Sequence, residues 1–305
     1  MPPRIIVGYD DGEGARDALA LGRLLAAALD AEPIVTAVLP EGDAHALSSA
    51  AVADLSRQME RDLSERTRAA AIEVGGREEI VRAASPAKGL HDVAEDMEAD
   101  AIVVGCHAGL PGQVRAGHTA LRLLQGAPCA VALAPVGHRH VDPTLRVLGV
   151  GLDGSDESRG ALASAIELAD GGTLRLMAVA PLRVEGSWAH GSWGQGLQGL
   201  GESAPEIARR DLDEAVALTP AGLRPSTTVL IGDAAAELAE EASKGVDLLC
   251  LGSRGFGPLR RVLLGSVSST VVRDAPCPVL VVPRRRGFGA QAAECAAADA
   301  EQASA

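Results

Sequence analysis

Short apolar runs alternate along this chain with longer stretches whose apolar residues recur at helical spacing. In the second half, Val147–Leu152, Leu174–Ala180, Ser226–Ile231, Asp247–Leu251 and Pro278–Val282 read as strands. Between them, Glu157–Ala169, Ala204–Leu218, Ala235–Ser243 and Ser266–Arg273 carry the helical period. The first half gives the same series, from Ile5–Tyr9 through Val131–Ala134. Strands that are apolar throughout and separated by helices predict a parallel sheet covered on both faces. Right-handed crossovers then make each series an open, doubly wound α/β sandwich.

The two series are copies of one another. Val7, Gly8, Asp10, Arg16, Ala18 and Leu19 recur as Val150, Gly151, Asp153, Arg159, Ala161 and Leu162, always 143 positions on (7 to 150). DAIVVGCHAGLPG at 100–112 faces DLLCLGSRGFGPL at 247–259, and APCAVALAP at 127–135 faces APCPVLVVP at 275–283. Matched blocks in one order, with offsets drifting by only a few residues, identify a tandem duplication. The expected organisation is therefore two sandwiches, each with a five-stranded parallel sheet, at 1–136 and 144–283. Val136–Pro143 is the linker, and a small-residue tail at 284–305 is expected to be disordered. Strands 131–134 and 278–282 are sheet edges that need covering, which predicts intramolecular pairing of the copies as a pseudo-twofold; two such chains could associate further as a homodimer. A Gly-rich insertion at 182–201 holds both Trp residues and reads either as a mobile surface loop or as a lid at a strand end.

Composition narrows the function. Aromatic residues are 2% of the chain and the net charge is −13, which argues against stacking platforms and against a polyanionic partner such as nucleic acid. Arg284-Arg285-Arg286 reads as a solvated run. Apolar stretches fall short of the roughly 18 residues a membrane helix needs, and the amino terminus lacks the pattern of a signal peptide. Five cysteines, an odd count without a CxxC pair, fit a reducing cytoplasmic setting. The Ala- and Arg-rich, Lys-poor composition points to a bacterial source.

In a doubly wound sheet, ligands sit beyond the carboxyl ends of the strands where the strand order reverses. In copy two those ends are Asp153 and Gly252-Ser253-Arg254-Gly255, followed after nine residues by Gly265-Ser266-Val267-Ser268. Glycines let backbone N–H groups approach an anion closely, and the hydroxyl residues open a helix whose dipole contributes about 0.3–1 kcal/mol per favourable charge. With Arg254, the set suits a triphosphate. Asp153 is placed to accept ribose hydroxyls or to help hold a metal ion on the phosphates.

The stretch GSRGFGPLRRVLLGSVSS resembles the nucleotide loop of the universal stress protein family, G-x2-G-x9-G-[ST], and the resemblance covers both copies. It implies the adenine nucleotide alpha hydrolase-like fold, bound ATP with Mg2+, Asp153 at the ribose, and the Val179 backbone at the adenine. Copy one departs from the pattern: Ala108 stands in strict register where copy two has Gly255, and His118 where copy two has Ser266. Asp10, Val38, Gly105, Gly109 and Gly117 remain as a weak second site in a copy expected to be degenerate.

Other motifs carry little. GVGLDG at 149–154 has the dinucleotide-fold spacing, but the next strand ends in Pro181 rather than an acid, and no P-loop occurs. His138 and His140 read as exposed linker residues rather than a metal site, and Cys106 as a core or rim thiol. Phosphoryl transfer needs an oriented water and charge stabilisation, so the leading expectation is a non-catalytic ATP-binding regulator of stress adaptation acting on unknown protein clients. A slow or partner-activated ATPase or phosphotransferase is the alternative, and a scaffold with structural nucleotide the third.

Overall fold

The computed structural model describes residues 2–41, 50–107, 109–141, 144–169, 171–182, 203–253 and 264–283. The Trp-bearing insertion, Arg254, Gly255 and the tail lie outside the described residues. Copy one runs β1 (Arg4–Gly8), α1 (Glu13–Leu29), β2 (Glu32–Pro40), α2 (Ala50–Glu73), β3 (Arg77–Ala83), α3 (Pro86–Asp96), β4 (Ala101–Gly105), α4 (His118–Leu124) and β5 (Ala130–Ala134). Copy two repeats the order: β6 (Val147–Leu152), α5 (Asp156–Leu168), β7 (Thr173–Ala180), α6 (Ala204–Leu218), β8 (Ser226–Ile231), α7 (Ala234–Ala242), β9 (Leu248–Gly252), α8 (Ser266–Val271) and β10 (Val279–Val282). Each strand assigned from the apolar runs of copy two appears within a residue of its expected bounds.

The strand order is β3-β2-β1-β4-β5-β10-β9-β6-β7-β8. Every described pairing between these strands is parallel except β5 with β10, which run antiparallel with Leu133 opposite Val279 and Val131 opposite Val281. The two five-stranded parallel sheets thus fuse, edge to edge, into one sheet of ten strands. These two edges cover each other: each strand carries buried apolar side chains along its whole length and would otherwise present unpaired backbone N–H and C=O groups.

Alternation along the strands splits the core into two layers, and each layer runs through both copies. Ile5, Val7, Leu148, Val150 and Leu280 face one layer with α1, α2, α5 and α6. Ile6, Ile102, Leu133, Leu249 and Val279 face the other with α3, α4, α7 and α8. With few aromatics, stability rests on many Leu, Ile and Val side chains, each contributing about 1.5–3 kcal/mol when buried. Among the described residues no helix is long and apolar enough to cross a membrane.

The linker corrects one expectation. Gly137, at φ +77°, turns the chain into a single 3-10 turn, His138–His140, that docks on α1. The backbone N–H groups of Gly137 and Arg139 donate to the Asp17 carboxylate at 2.8 and 3.0 Å, and the Arg139 guanidinium pairs with it at 3.3 Å. Asp17 is 1% exposed, so these donors supply what water cannot. His138 is buried beside this clasp rather than exposed, and burial lowers its pKa; His140 is exposed.

Candidate functional site

The switch point of copy two lies where β6 and β9, adjacent and parallel, end side by side. After β6 the chain turns through Asp153 and Gly154, and Ser155 caps α5 by accepting the N–H of Ser158 at 3.2 Å. Gly154 takes φ +72°, and a Cβ there would stand 3.0 Å from the Asp211 carboxylate on α6. Asp153 is fixed by the same turn: its carboxylate accepts the Ser155 N–H at 3.2 Å and the Ser155 hydroxyl. At the end of β9, a Cβ on Gly252 would lie 2.6 Å from the Glu157 carbonyl carbon. Only glycine lets the strand end press against the first turn of α5.

A cavity open to solvent lies between these ends. Its lining is apolar at Met177 and Val179 of β7, at Ala234 and Leu238 of α7, and at Leu251. It is polar or glycine at Asp153, Ser155, Glu157 and Ser158 after β6 and at Gly252, Gly265 and Ser268 around α8. Ser268 is buried and its hydroxyl donates to the Gly252 carbonyl at 2.7 Å, which ties the start of α8 to the end of β9. Asp211 behind Gly154 has its pKa raised, first by burial and further by Glu214 and Asp153, against the pull of Arg210. Among the described residues no three His, Cys, Asp or Glu side chains converge as metal ligands.

Of the residues singled out from sequence, Asp153, Val179, Gly252, Gly265, Val267 and Ser268 line the cavity. Ser253 instead continues the sheet, buried, with its N–H on the Val282 carbonyl at 2.8 Å. Ser266 is the first residue of α8 and exposed; its carbonyl accepts the hydroxyls of Ser269 and Thr270. Sequence reasoning missed Met177, Ala234, Leu238, Glu157 and Ser158. Met177 was within reach, since it sits two residues before Val179 and so on the same face of the strand.

Copy one builds the same frame and fills it differently. Asp10 accepts the Gly12 N–H at 3.0 Å, and His107 Nε2 comes within 3.8 Å of its carboxylate. The His107 ring also lies over the first turn of α1, where a Cβ on Gly14 would meet it at 2.9 Å. Val38 packs on Gly89, Gly105 presses against the Gly14 carbonyl, and Gly109 turns at φ +132°. Gly117 caps α4 from its backbone alone. Tyr9 donates to Asp11 at 3.0 Å and Arg66 to the same carboxylate at 2.7 Å. The Tyr9 hydrogen bond holds the Asp11 carboxyl below its usual range, while burial pushes the Tyr9 phenol up to about 12.

Comparison with known proteins places this architecture. A solved universal stress protein from Archaeoglobus fulgidus aligns with 93% of this chain and 99% of its own at a TM-score of 0.67 and 17% identity. A chain from Pseudomonas aeruginosa aligns with 92% of both at a TM-score of 0.58 and 16% identity. At that identity the likeness establishes fold alone. A universal stress protein of Mycobacterium tuberculosis is 30% identical over 210 residues, covering 65% of this chain and 69% of its own. One from Methanocaldococcus jannaschii is 35% identical over 139 residues, covering 43% of this chain and 78% of its own. The model of the universal stress protein family matches twice, at residues 1–135 and 144–283. With both copies matched, the chain belongs to the universal stress protein family.

Proposed function

We propose that the copy-two cavity binds ATP as its magnesium complex, and that the chain acts as a nucleotide-dependent regulator in stress adaptation rather than as a catalyst. The observation that carries this reading is the cavity itself: residues more than a hundred positions apart, from Asp153 to Ser268, converge on one space lined by both apolar side chains and glycine and hydroxyl residues. The apolar lining of Met177, Val179 and Leu238 would suit a flat base, and the Val179 backbone would meet the adenine. Asp153 would accept the ribose hydroxyls. Gly252, Arg254, Gly255, Gly265, Ser266, Val267 and Ser268 would surround the phosphates, where backbone N–H groups do most of the binding. Asp153, Glu157 and Asp211 make the surroundings acidic, so a bare triphosphate would be repelled and Mg2+ would offset the charge.

Copy one is proposed as a structural partner, with Asp10 engaged by His107 and the remainder of the frame by Tyr9, Asp11 and Arg66. A cytoplasmic location and action through protein clients complete the proposal. The test is nucleotide occupancy: acid extraction of the purified chain and titration of the apo chain with Mg-ATP. One ATP per chain, lost in Gly265→Asp, is expected. Two per chain would overturn the assignment of copy one, bound ADP in place of ATP would favour turnover, and no binding would remove the reading.

A further inference from the structure

The segment of copy one that corresponds to the nucleotide loop does not stay in copy one. Past Gly109 it crosses to the other half of the molecule, where Val114 pairs antiparallel with Ala275 as an isolated bridge. The Val114 N–H donates to the Ala275 carbonyl at 2.7 Å and the Ala116 N–H to the Val272 carbonyl at 2.9 Å. Val114 is fully buried. The base of the crossing is anchored in turn, with the Gly112 N–H on the Val136 carbonyl at 2.8 Å and the Val136 N–H on the Gln113 carbonyl at 3.3 Å.

Its landing point is the carboxyl end of α8, the helix whose first residues line the copy-two cavity. That helix has six residues, far fewer than a helix needs to persist alone. Its amino end has no side-chain cap. Besides packing on α7 with Val271 and Val272 buried in the core, it is tied by hydrogen bonds at two places: Ser268 donates to the Gly252 carbonyl, and Val272 and Ala275 accept from copy one. The carbonyls of Thr270 and Val271 are satisfied locally, by the N–H groups of Arg273 and Asp274, whereas Val272, the carboxyl cap, takes the N–H of Ala116. Copy one therefore completes the end of the helix on which Gly265, Val267 and Ser268 are carried.

We infer that residues 112–116 of copy one are a positioning element for the copy-two cavity, through the backbone N–H groups of Val114 and Ala116 on α8 and the residues just after it. The departures of copy one from the nucleotide pattern then accompany a second use of the same segment: it braces its sister's site. The inference rests on the nucleotide reading for its functional consequence but not for its structural part, and the experiment separates the two.

The experiment uses the full chain with Ala116→Pro, which deletes one donor, and Ala116→Gly, which keeps it. Hydrogen exchange of the 265–272 peptide is followed in the unliganded chain, together with Mg-ATP affinity by calorimetry and thermal melting to confirm that each variant folds. Ala116→Pro is expected to exchange this peptide at least fivefold faster and to bind Mg-ATP about five- to tenfold more weakly, the scale of one lost hydrogen bond. Ala116→Gly is expected to restore both. Unchanged exchange in a folded Ala116→Pro chain overturns the brace. Faster exchange with unchanged affinity overturns its link to the cavity. If the natural chain binds no Mg-ATP, the nucleotide reading fails and exchange alone decides whether copy one holds α8.

Discussion

In copy one the turn after β1 holds a line of charge: Tyr9 on Asp11, Asp11 on Arg66 of α2, and Arg16 within 3.7 Å. In copy two the same turn presents Leu152 and Gly154, and the side chain facing it from α6 is an acid, Asp211. Asp11 and Gly154 share one left-handed conformation, φ +62° and +72°, so the backbone is common and only the side chains differ. A carboxylate at that position recruits a cation and ties the turn to α2. A glycine leaves the turn bare, and the neighbouring carboxylate, Asp211, pairs within its own helix, with Arg210 at 3.8 Å. Surface pairs such as Asp11 with Arg66 contribute about 0.2–1 kcal/mol each, so the difference concerns what occupies the space more than how stable the copy is. In copy one the turn is tied to α2 by its own side chains, whereas in copy two a cavity opens beside Asp153.

The sharpest test of that comparison is a β-carbon on the two glycines that end the fourth strands. At Gly105 it would stand 1.8 Å from the Gly14 carbonyl oxygen, and at Gly252 2.6 Å from the Glu157 carbonyl carbon. Both contacts are with backbone, which cannot step aside. Gly105→Ala and Gly252→Ala are each expected to lower unfolding free energy by about 3 kcal/mol in urea titrations, the upper range for overpacking. Below their melting temperatures only Gly252→Ala should lose Mg-ATP. Equal loss of affinity in a folded Gly105→Ala chain would show that copy one contributes a binding site after all.

Next in size is the clasp at Asp17, which has no counterpart in copy two because Gly160 stands there. Asp17→Ala leaves two backbone N–H groups without their acceptor, while Arg139 keeps the Glu13 carbonyl and carboxylate, at a cost of about 1–3 kcal/mol. Gly160→Ala has open space around it, with 3.8 Å to its nearest neighbour, and is expected to be neutral or slightly stabilising. Thermal melting of the pair checks this. A harmless Asp17→Ala would mean that the linker is held by other contacts.

These residues also mark how far the sequence could be read. The strands, helices and duplication were legible because a parallel sheet buried on both faces demands continuous apolar runs, and a repeat puts the same demand twice. Pairing of β5 with β10 followed from the need to cover two apolar edges. Asp153 and Val179 were legible from the family loop and its companion motifs. Asp17 was not, since an acid in the second turn of a helix usually faces water and nothing local says that the linker folds back on it. Val114 was opaque for the same reason: its partner, Ala275, lies in the other copy. Ala234 and Leu238 look like ordinary helix residues until α7 is seen against the cavity.

A smaller effect separates the two first-strand acids. Asp153→Ala removes a charged acceptor beside the cavity and is expected to weaken Mg-ATP binding about tenfold, with little change in melting temperature. Asp10→Ala should leave affinity unchanged, because His107 rather than ligand faces that carboxylate. Calorimetric titration of both variants decides it. A tenfold loss in Asp10→Ala would place ligand in copy one.

The smallest expected effect lies at the seam. At the position where copy one has Leu24, copy two has Glu167 on α5, and the charge of Asp100 in copy one reaches this acid. Burial, and then the Asp100 charge, raise the Glu167 pKa from 4.5 to about 7. The fold thus favours the protonated form, so the stability it contributes is complete below pH 4.5 and is lost as pH rises through 7. Because Glu167 is exposed, solvent screening limits the change to well under about 1 kcal/mol. Melting curves between pH 5 and 8 should fall in the natural chain with rising pH and flatten in Glu167→Gln, which stays neutral throughout. Glu167→Leu, which copies the other half of the molecule, should flatten the profile as well and add apolar contact across the seam. A slope that survives both substitutions would move the origin of the pH dependence away from the junction, and with it the idea that this one asymmetric acid sets how firmly the two copies hold together near neutral pH.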